Sequence, residues 1–140
     1  MFEECLYFNT NSLARTVSRI WAEAYRKFDL SPPHAFLLRA VLAKPGLLPR
    51  ELAEELNLSR STVTRFLDSL EKRDLLERKP TAKDGREWQI FPTKNAKAIH
   101  HELDQIGKNL TKLMREKIGT NDLSLAVAKL REMKNKIENV

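Results

Sequence analysis

Apolar residues recur along this chain with a helical period, interrupted once by two short stretches of strand-like composition. Over residues 10–28, Leu13, Val17, Ile20, Trp21, Ala24 and Phe28 keep the i, i+3, i+4, i+7 spacing of an amphipathic helix. "DLSPPHAFLLRAVLAKPG" then marks a boundary. Ser31 can cap a second helix, Pro32 and Pro33 fit its first turn, and Pro45-Gly46 end it. "LPRELAEELNL" predicts a short third helix with Leu52, Ala53 and Leu56 inward, and "SRSTVTRFLDSLEKR" a fourth with Val63, Phe66, Leu67 and Leu70 inward. "LLERKP" and "REWQIFP" read as strands, and Asp84-Gly85 in the intervening "TAKDG" is a hairpin-turn signal. After Pro92-Thr93 the helical period returns, with Ile99, Leu103, Ile106, Leu110 and Leu113 on one face. "GTN" at 119–121 breaks this helix, and Asp122 is placed to cap a last one carrying Val127, Leu130, Met133 and Ile137.

The expected fold is mainly α with a small β-hairpin wing. Residues 32–94 form a winged helix–turn–helix that can bury its own core. Residues 1–31 together with 95–140 supply flanking helices whose long apolar faces exceed what the small middle can cover, which predicts a helical dimerisation region.

The helix–turn–helix carries the functional signal. Ala53 is small where two helices cross closely, Asn57 suits a left-handed turn position, Leu58 plugs the corner, and Ser59 is a good N-cap. Val63 and Phe66 should pack back on the third helix. At 100° per residue, Ser61, Arg65, Asp68 and Lys72 fall opposite the buried side, with Thr62, Thr64 and Ser69 on the flanks. A Ser-rich helix start alone is ordinary capping, and exposed arginine alone is ordinary surface. Behind this turn pattern, however, Arg60, Ser61, Thr62, Thr64 and Arg65 form a donor-rich helix N-terminus suited to phosphates and to base edges in a major groove. Ser59 is expected to cap rather than contact bases, and Asp68 to pair with Lys72 at i, i+4.

The hairpin adds Arg78, Lys79, Lys83 and Arg86. Lys79, Lys83 and Arg86 are candidate DNA contacts, with Arg86 the cation for a narrow minor groove. Asp84 would orient Arg86 or form the turn. Trp88 and Ile90 alternate toward one face and are expected in the core.

Composition agrees with this picture. With 41% hydrophobic and 31% charged residues in 140, the chain is an ordinary folded protein, and its net charge of +6 suits a polyanionic partner. No apolar run is long enough to span a bilayer, the acidic start does not read as a signal peptide, and one cysteine forms no internal disulfide. A reducing, cytoplasmic location is expected, with no membrane partner. The sequence has no Cys/His cluster for a metal, no Gly-rich phosphate loop and no nucleophile–base pair, so neither an enzyme nor a cofactor is expected. His100 and His101 are adjacent on a helix and point in different directions.

"LSPPHAFLLRAVLAKPGLLPRELAEELNLSRSTVTRFLDSLEKRDLLERKPTAKDGREWQIFPTKNA" resembles the MarR family of winged-helix regulators. The matching features are Leu52-Ala53, Ser61-Thr62-Val63-Thr64-Arg65, Leu70-Glu71-Lys72-Arg73, Leu75-Leu76-Glu77-Arg78 and Asp84-x-Arg86. The resemblance implies a homodimer interlocked through helices of both termini, reading a palindromic operator in double-stranded DNA. It also implies a repressor that releases DNA on binding a small, often aromatic effector, with Trp21 and His34 as pocket candidates. Other members respond to oxidation of an N-terminal cysteine, which makes Cys5 a redox candidate. Glu3 and Glu4 disfavour its thiolate, and Leu6, Tyr7 and Phe8 suit a packed thiol instead. Two positions depart from the family pattern: Asp74 and Asn95 stand where glycines are usual, and either residue can adopt a left-handed conformation. The competing readings are a winged-helix protein-interaction module and a nonspecific DNA binder.

Overall fold

A computed structural model of the chain describes residues 1–81 and 85–140. The element order is α1 (Leu6–Tyr25), a 3-10 turn (Arg26–Phe28), α2 (Pro32–Ala43), α3 (Pro49–Leu56), α4 (Arg60–Lys72), β1 (Leu76–Pro80), β2 (Trp88–Pro92), α5 (Lys94–Ile118) and α6 (Thr120–Ile137). The chain forms two compact units, Met1–Asp104 and Gln105–Val140.

In the first unit, Leu37, Leu38, Val41, Leu52, Val63, Leu70, Ile90, Ala96 and Leu103 are fully buried. They come from α2, α3, α4, β2 and the start of α5, so one apolar core holds the helix–turn–helix against the hairpin. Burying each large aliphatic side chain stabilises by about 1.5–3 kcal/mol. The helix starts obey local chemistry. The Ser31 hydroxyl accepts from the His34 N–H at 3.4 Å with Pro32 and Pro33 in the first turn of α2, and Pro49 opens α3. The strands pair antiparallel, with Leu76 opposite Pro92, Arg78 opposite Ile90 and Pro80 opposite Trp88.

Several expectations are corrected. The first helix begins at Leu6, not residue 10; Tyr25 is its fully buried residue, and Val17, Ile20, Trp21 and Ala24 of the predicted face are half-buried while Leu13 is exposed. Tyr25 accepts from Arg39 Nη1 at 3.3 Å, while Arg39 Nε pairs with Asp104 at 3.1 Å. This network ties α1, α2 and the start of α5 together, and α1 thereby packs with the winged domain within the chain. The hairpin gains a third short edge. The Ile90 N–H donates to the Leu47 carbonyl at 2.9 Å, and the Gly46 N–H donates to the Ile90 carbonyl at 2.8 Å. Gly46 has φ +94°, with the Phe91 ring 3.5 Å from where a Cβ would stand. Ile90 is core, but Trp88 is 46% exposed.

In the second unit, the helix break falls at Gly119, with φ +99°. Asp122 does not cap α6. It lies inside the first turn, and Gly119 occupies the cap position without a side-chain bond. Leu125, Val127, Leu130 and Ile137 of α6 are exposed.

Candidate nucleic-acid interface

The turn between α3 and α4 is built as its residues dictate. Asn57 is left-handed at φ 54°, ψ 44°, and the Leu58 N–H donates to the Ala53 carbonyl at 2.9 Å, reversing the chain. Ser59 caps α4, its hydroxyl accepting from the Thr62 N–H at 3.2 Å. Val63, Leu67 and Leu70 bury one side of α4. Phe66 is corrected: it is half-buried and stacks on the His34 ring of α2 at 4.2 Å.

Arg60, Ser61, Thr64 and Arg65 are exposed on the first two turns of α4. Among the described residues, neither Arg60 nor Arg65 has a carboxylate partner; Arg65 Nη2 reaches only the Thr62 hydroxyl, at 3.5 Å. The Thr64 hydroxyl donates to the Arg60 carbonyl at 2.9 Å and keeps lone pairs for an incoming donor. Thr62 differs from the other four. It is half-buried, and its hydroxyl accepts from Ser59 at 2.8 Å, so it serves the capping network.

On the far half of α4 the carboxylates are paired. Asp68 does not pair with Lys72; Arg78 of β1 takes it, and Arg78 Nε also lies 3.4 Å from Glu71 Oε2. The Glu71 approach is an ion-pair distance without hydrogen-bond geometry, which leaves Nε without a hydrogen bond. Arg78 is therefore a strut between helix and wing. Sequence reasoning counted it among the hairpin's basic residues, although its alternation with Leu76 turns it toward α4. Arg73 closes the same end, donating to the carbonyls of Asp29 and Phe28 at 2.5 and 2.7 Å.

On the hairpin, Lys79 is exposed, 3.4 Å from Glu77 and 4.8 Å over the Phe91 ring. Arg86 is exposed just before β2 and after Gly85, whose φ is +67°. Glu87 pairs with Arg50, at the start of α3, at 3.1 Å. Lys83 and Asp84, the other two wing candidates, lie outside the described residues.

Two further candidates separate. An open apolar groove of about 620 Å³ is lined by Val17, Trp21, Pro32, Pro33, Phe36 and Leu58, among others. Trp21 thus faces a cavity. His34 is not among its lining residues: its ring packs on Phe66, and its Nδ1 lies 2.5 Å from the Ser31 hydroxyl. Burial, and then the nearby Arg73 charge, hold the His34 pKa below its ordinary value. Cys5 is exposed at the start of α1, so the expected packing of its thiol is not found within the chain. Among the described residues, no group of three or more His, Cys, Asp or Glu side chains could hold a metal ion.

Comparison with known proteins agrees with this geometry. The MarR family model matches residues 28–87, from the turn after α1 to the start of the second strand. Over that stretch the chain is similar to the MarR family. The HTH-type transcriptional regulator YybA of Bacillus subtilis is 22% identical over 126 residues, spanning 90% of this chain and 84% of that protein. SarZ of Staphylococcus aureus, also an HTH-type transcriptional regulator, is 29% identical over 102 residues, covering 73% and 68%. The S. aureus MepR–DNA complex shares the fold with a TM-score of 0.85 at 18% identity, covering 96% of this chain and 99% of that one. The relatives are regulators, not enzymes.

The two departures from the MarR pattern meet in space. Asp74 is left-handed at φ 55°, as a glycine would be, and Asn95 Nδ2 donates to Asp74 Oδ2 at 2.7 Å. Asn95 itself is helical, at the first turn of α5, and does not use the left-handed conformation open to it. Thr93 joins them, its hydroxyl donating to the Asp74 carbonyl at 2.7 Å and accepting from the Ala96 N–H at 3.2 Å. The pair supplies a bond that two glycines cannot make.

Proposed function

We propose that this chain acts as a homodimeric, sequence-specific repressor that reads a palindromic operator in double-stranded DNA and releases it on binding a small apolar effector. The observation that carries the reading is the pair Arg60 and Arg65. Both cations lie beside Ser61 and Thr64 on the exposed N-terminal half of α4 without a carboxylate partner among the described residues. A helix N-terminus with such donors complements phosphates and base edges in a major groove, and an exposed wing cation such as Arg86 complements the adjoining minor groove. Lys79 and Lys83 would add backbone contacts.

Exposed Leu6, Tyr7, Phe8 and Leu13 on the first helix, and Leu125, Val127, Leu130 and Ile137 on the last, support dimerisation. Cys5 sits within the first of these surfaces, and a partner's cover would keep its thiol packed rather than sensing. The groove beside Trp21 and Phe36 suits an aromatic effector. The cytoplasm is the corresponding location. MepR, solved with DNA, supports the same reading.

Selection of bound duplexes from a random pool tests it directly. The expected product is an inverted repeat with half-sites about one helical turn apart, bound by a dimer. A winged-helix protein-interaction module would select nothing, and a nonspecific binder would select no repeat.

A further inference from the structure

Trp88 is a large aromatic that neither the core nor the reading above uses. It is 46% exposed, and among the described residues no ring or cation stacks on it. Its place in the hairpin is defined by register. Cross-strand partners share a face, so Trp88 with Pro80 continues the face that holds Ile90 with Arg78 and Pro92 with Leu76. That face is buried at Ile90, and from it Arg78 reaches Asp68 and Glu71 of α4. Trp88 lies one same-face pair further out, about 7 Å along the strand. There the face leaves the core at the outer end of the hairpin, whose other strand, β1, packs on α4.

We infer that Trp88 is a direct contact of the wing with duplex DNA, its ring packing on the sugar–phosphate backbone beside the recognition helix. The inference rests on the DNA-binding reading. Deoxyribose offers an apolar surface to the ring, and a phosphate oxygen accepts the indole N–H. The electrostatics around the ring fit that occupant. The adjoining acid, Glu87, is held by Arg50, and Arg86 lies two residues before Trp88. The contact is to backbone, so it raises affinity for every sequence alike.

Tryptophan emission and gel shift on wild type, Trp88→Phe and Trp88→Ala provide the test, using a mixed-sequence duplex of about 30 base pairs at about 50 mM salt. Trp21 is the other tryptophan and supplies the background. Wild-type emission should change on adding duplex, and Trp88→Phe should lose most of that change while binding about threefold more weakly. Trp88→Ala should bind about tenfold more weakly, equally on selected and unrelated duplexes. Equal emission changes in wild type and Trp88→Phe, with both shifting DNA, overturn the inference. So does a Trp88 signal that follows protein concentration and ignores DNA, which would assign the face to a second copy of the chain. If wild type shifts no DNA at all, the DNA-binding reading fails and the inference falls with it.

Discussion

The two halves of α4 differ in what their charged side chains meet. In the first half, Arg60 and Arg65 stand among hydroxyls with no carboxylate partner among the described residues. In the second, Asp68 and Glu71 are taken by Arg78, and Arg73 is spent on two backbone carbonyls. Around α4, the cations that hold the fold, Arg78 of β1 and Arg73 at the helix end, are thus distinct from Arg60 and Arg65, which are open to a polyanion. Net charge hides this distinction, because a paired arginine and an unpaired one count the same. The difference lies in the partner each side chain meets.

Removing the scaffold common to both halves should have the largest effect. Leu70 is fully buried, and Leu70→Ala should destabilise the chain by about 2–5 kcal/mol in urea denaturation and abolish DNA binding with it. A stability loss well under this range would show that α4 is held by something other than its apolar side.

Next in size, the two classes of arginine should fail differently. Arg78→Ala should lower stability by about 1 kcal/mol, a figure kept small because the partner carboxylates are about half exposed. Arg60→Ala should leave the denaturation midpoint within about 0.5 kcal/mol of wild type and weaken DNA binding. A double-mutant cycle of Arg78→Ala with Asp68→Asn sharpens the contrast: the two losses should be less than additive. Full additivity would mean that the strut between helix and wing contributes nothing.

The smallest effect is pH-dependent. His34 packs on Phe66 of α4 with its pKa held down, first by burial and then by Arg73. A folded-state pKa below the unfolded one means that the unfolded chain binds the extra proton. The stability His34 contributes is then complete above its ordinary pKa of about 6.5 and is lost as pH falls through the lowered folded value. His34→Gln should flatten that acid-side slope in denaturation measured from neutral to mildly acidic pH. An unchanged slope would mean that His34 is not the titrating group.

Much of this arrangement was legible in the residues. Asn57, Ser59 and the Val63, Leu67, Leu70 spacing sufficed to place the helix–turn–helix, because turn, cap and period are local properties. Alternation placed Ile90 in the core but failed for Trp88, which shares its parity but lies beyond the end of the packed layer. Local spacing also favoured Lys72 for Asp68, whereas a residue ten positions on, brought back by the hairpin, is the actual partner. The Asp74–Asn95 bond was hidden for the same reason: each looked like a separate tolerated exchange, and only the fold brings them together. Tyr25 flanks the predicted stripe, one turn on from Trp21, and its burial depends on α2.

The central claim, that the open half of α4 reads sequence, is tested most directly by titrating Arg65→Ala and wild type against the selected operator and a scrambled duplex at several salt concentrations. The account predicts that Arg65→Ala loses about 1–3 kcal/mol on the operator, changes little on scrambled DNA, and keeps the wild-type denaturation midpoint. Equal losses on both duplexes, or operator affinity unchanged from wild type, would contradict it.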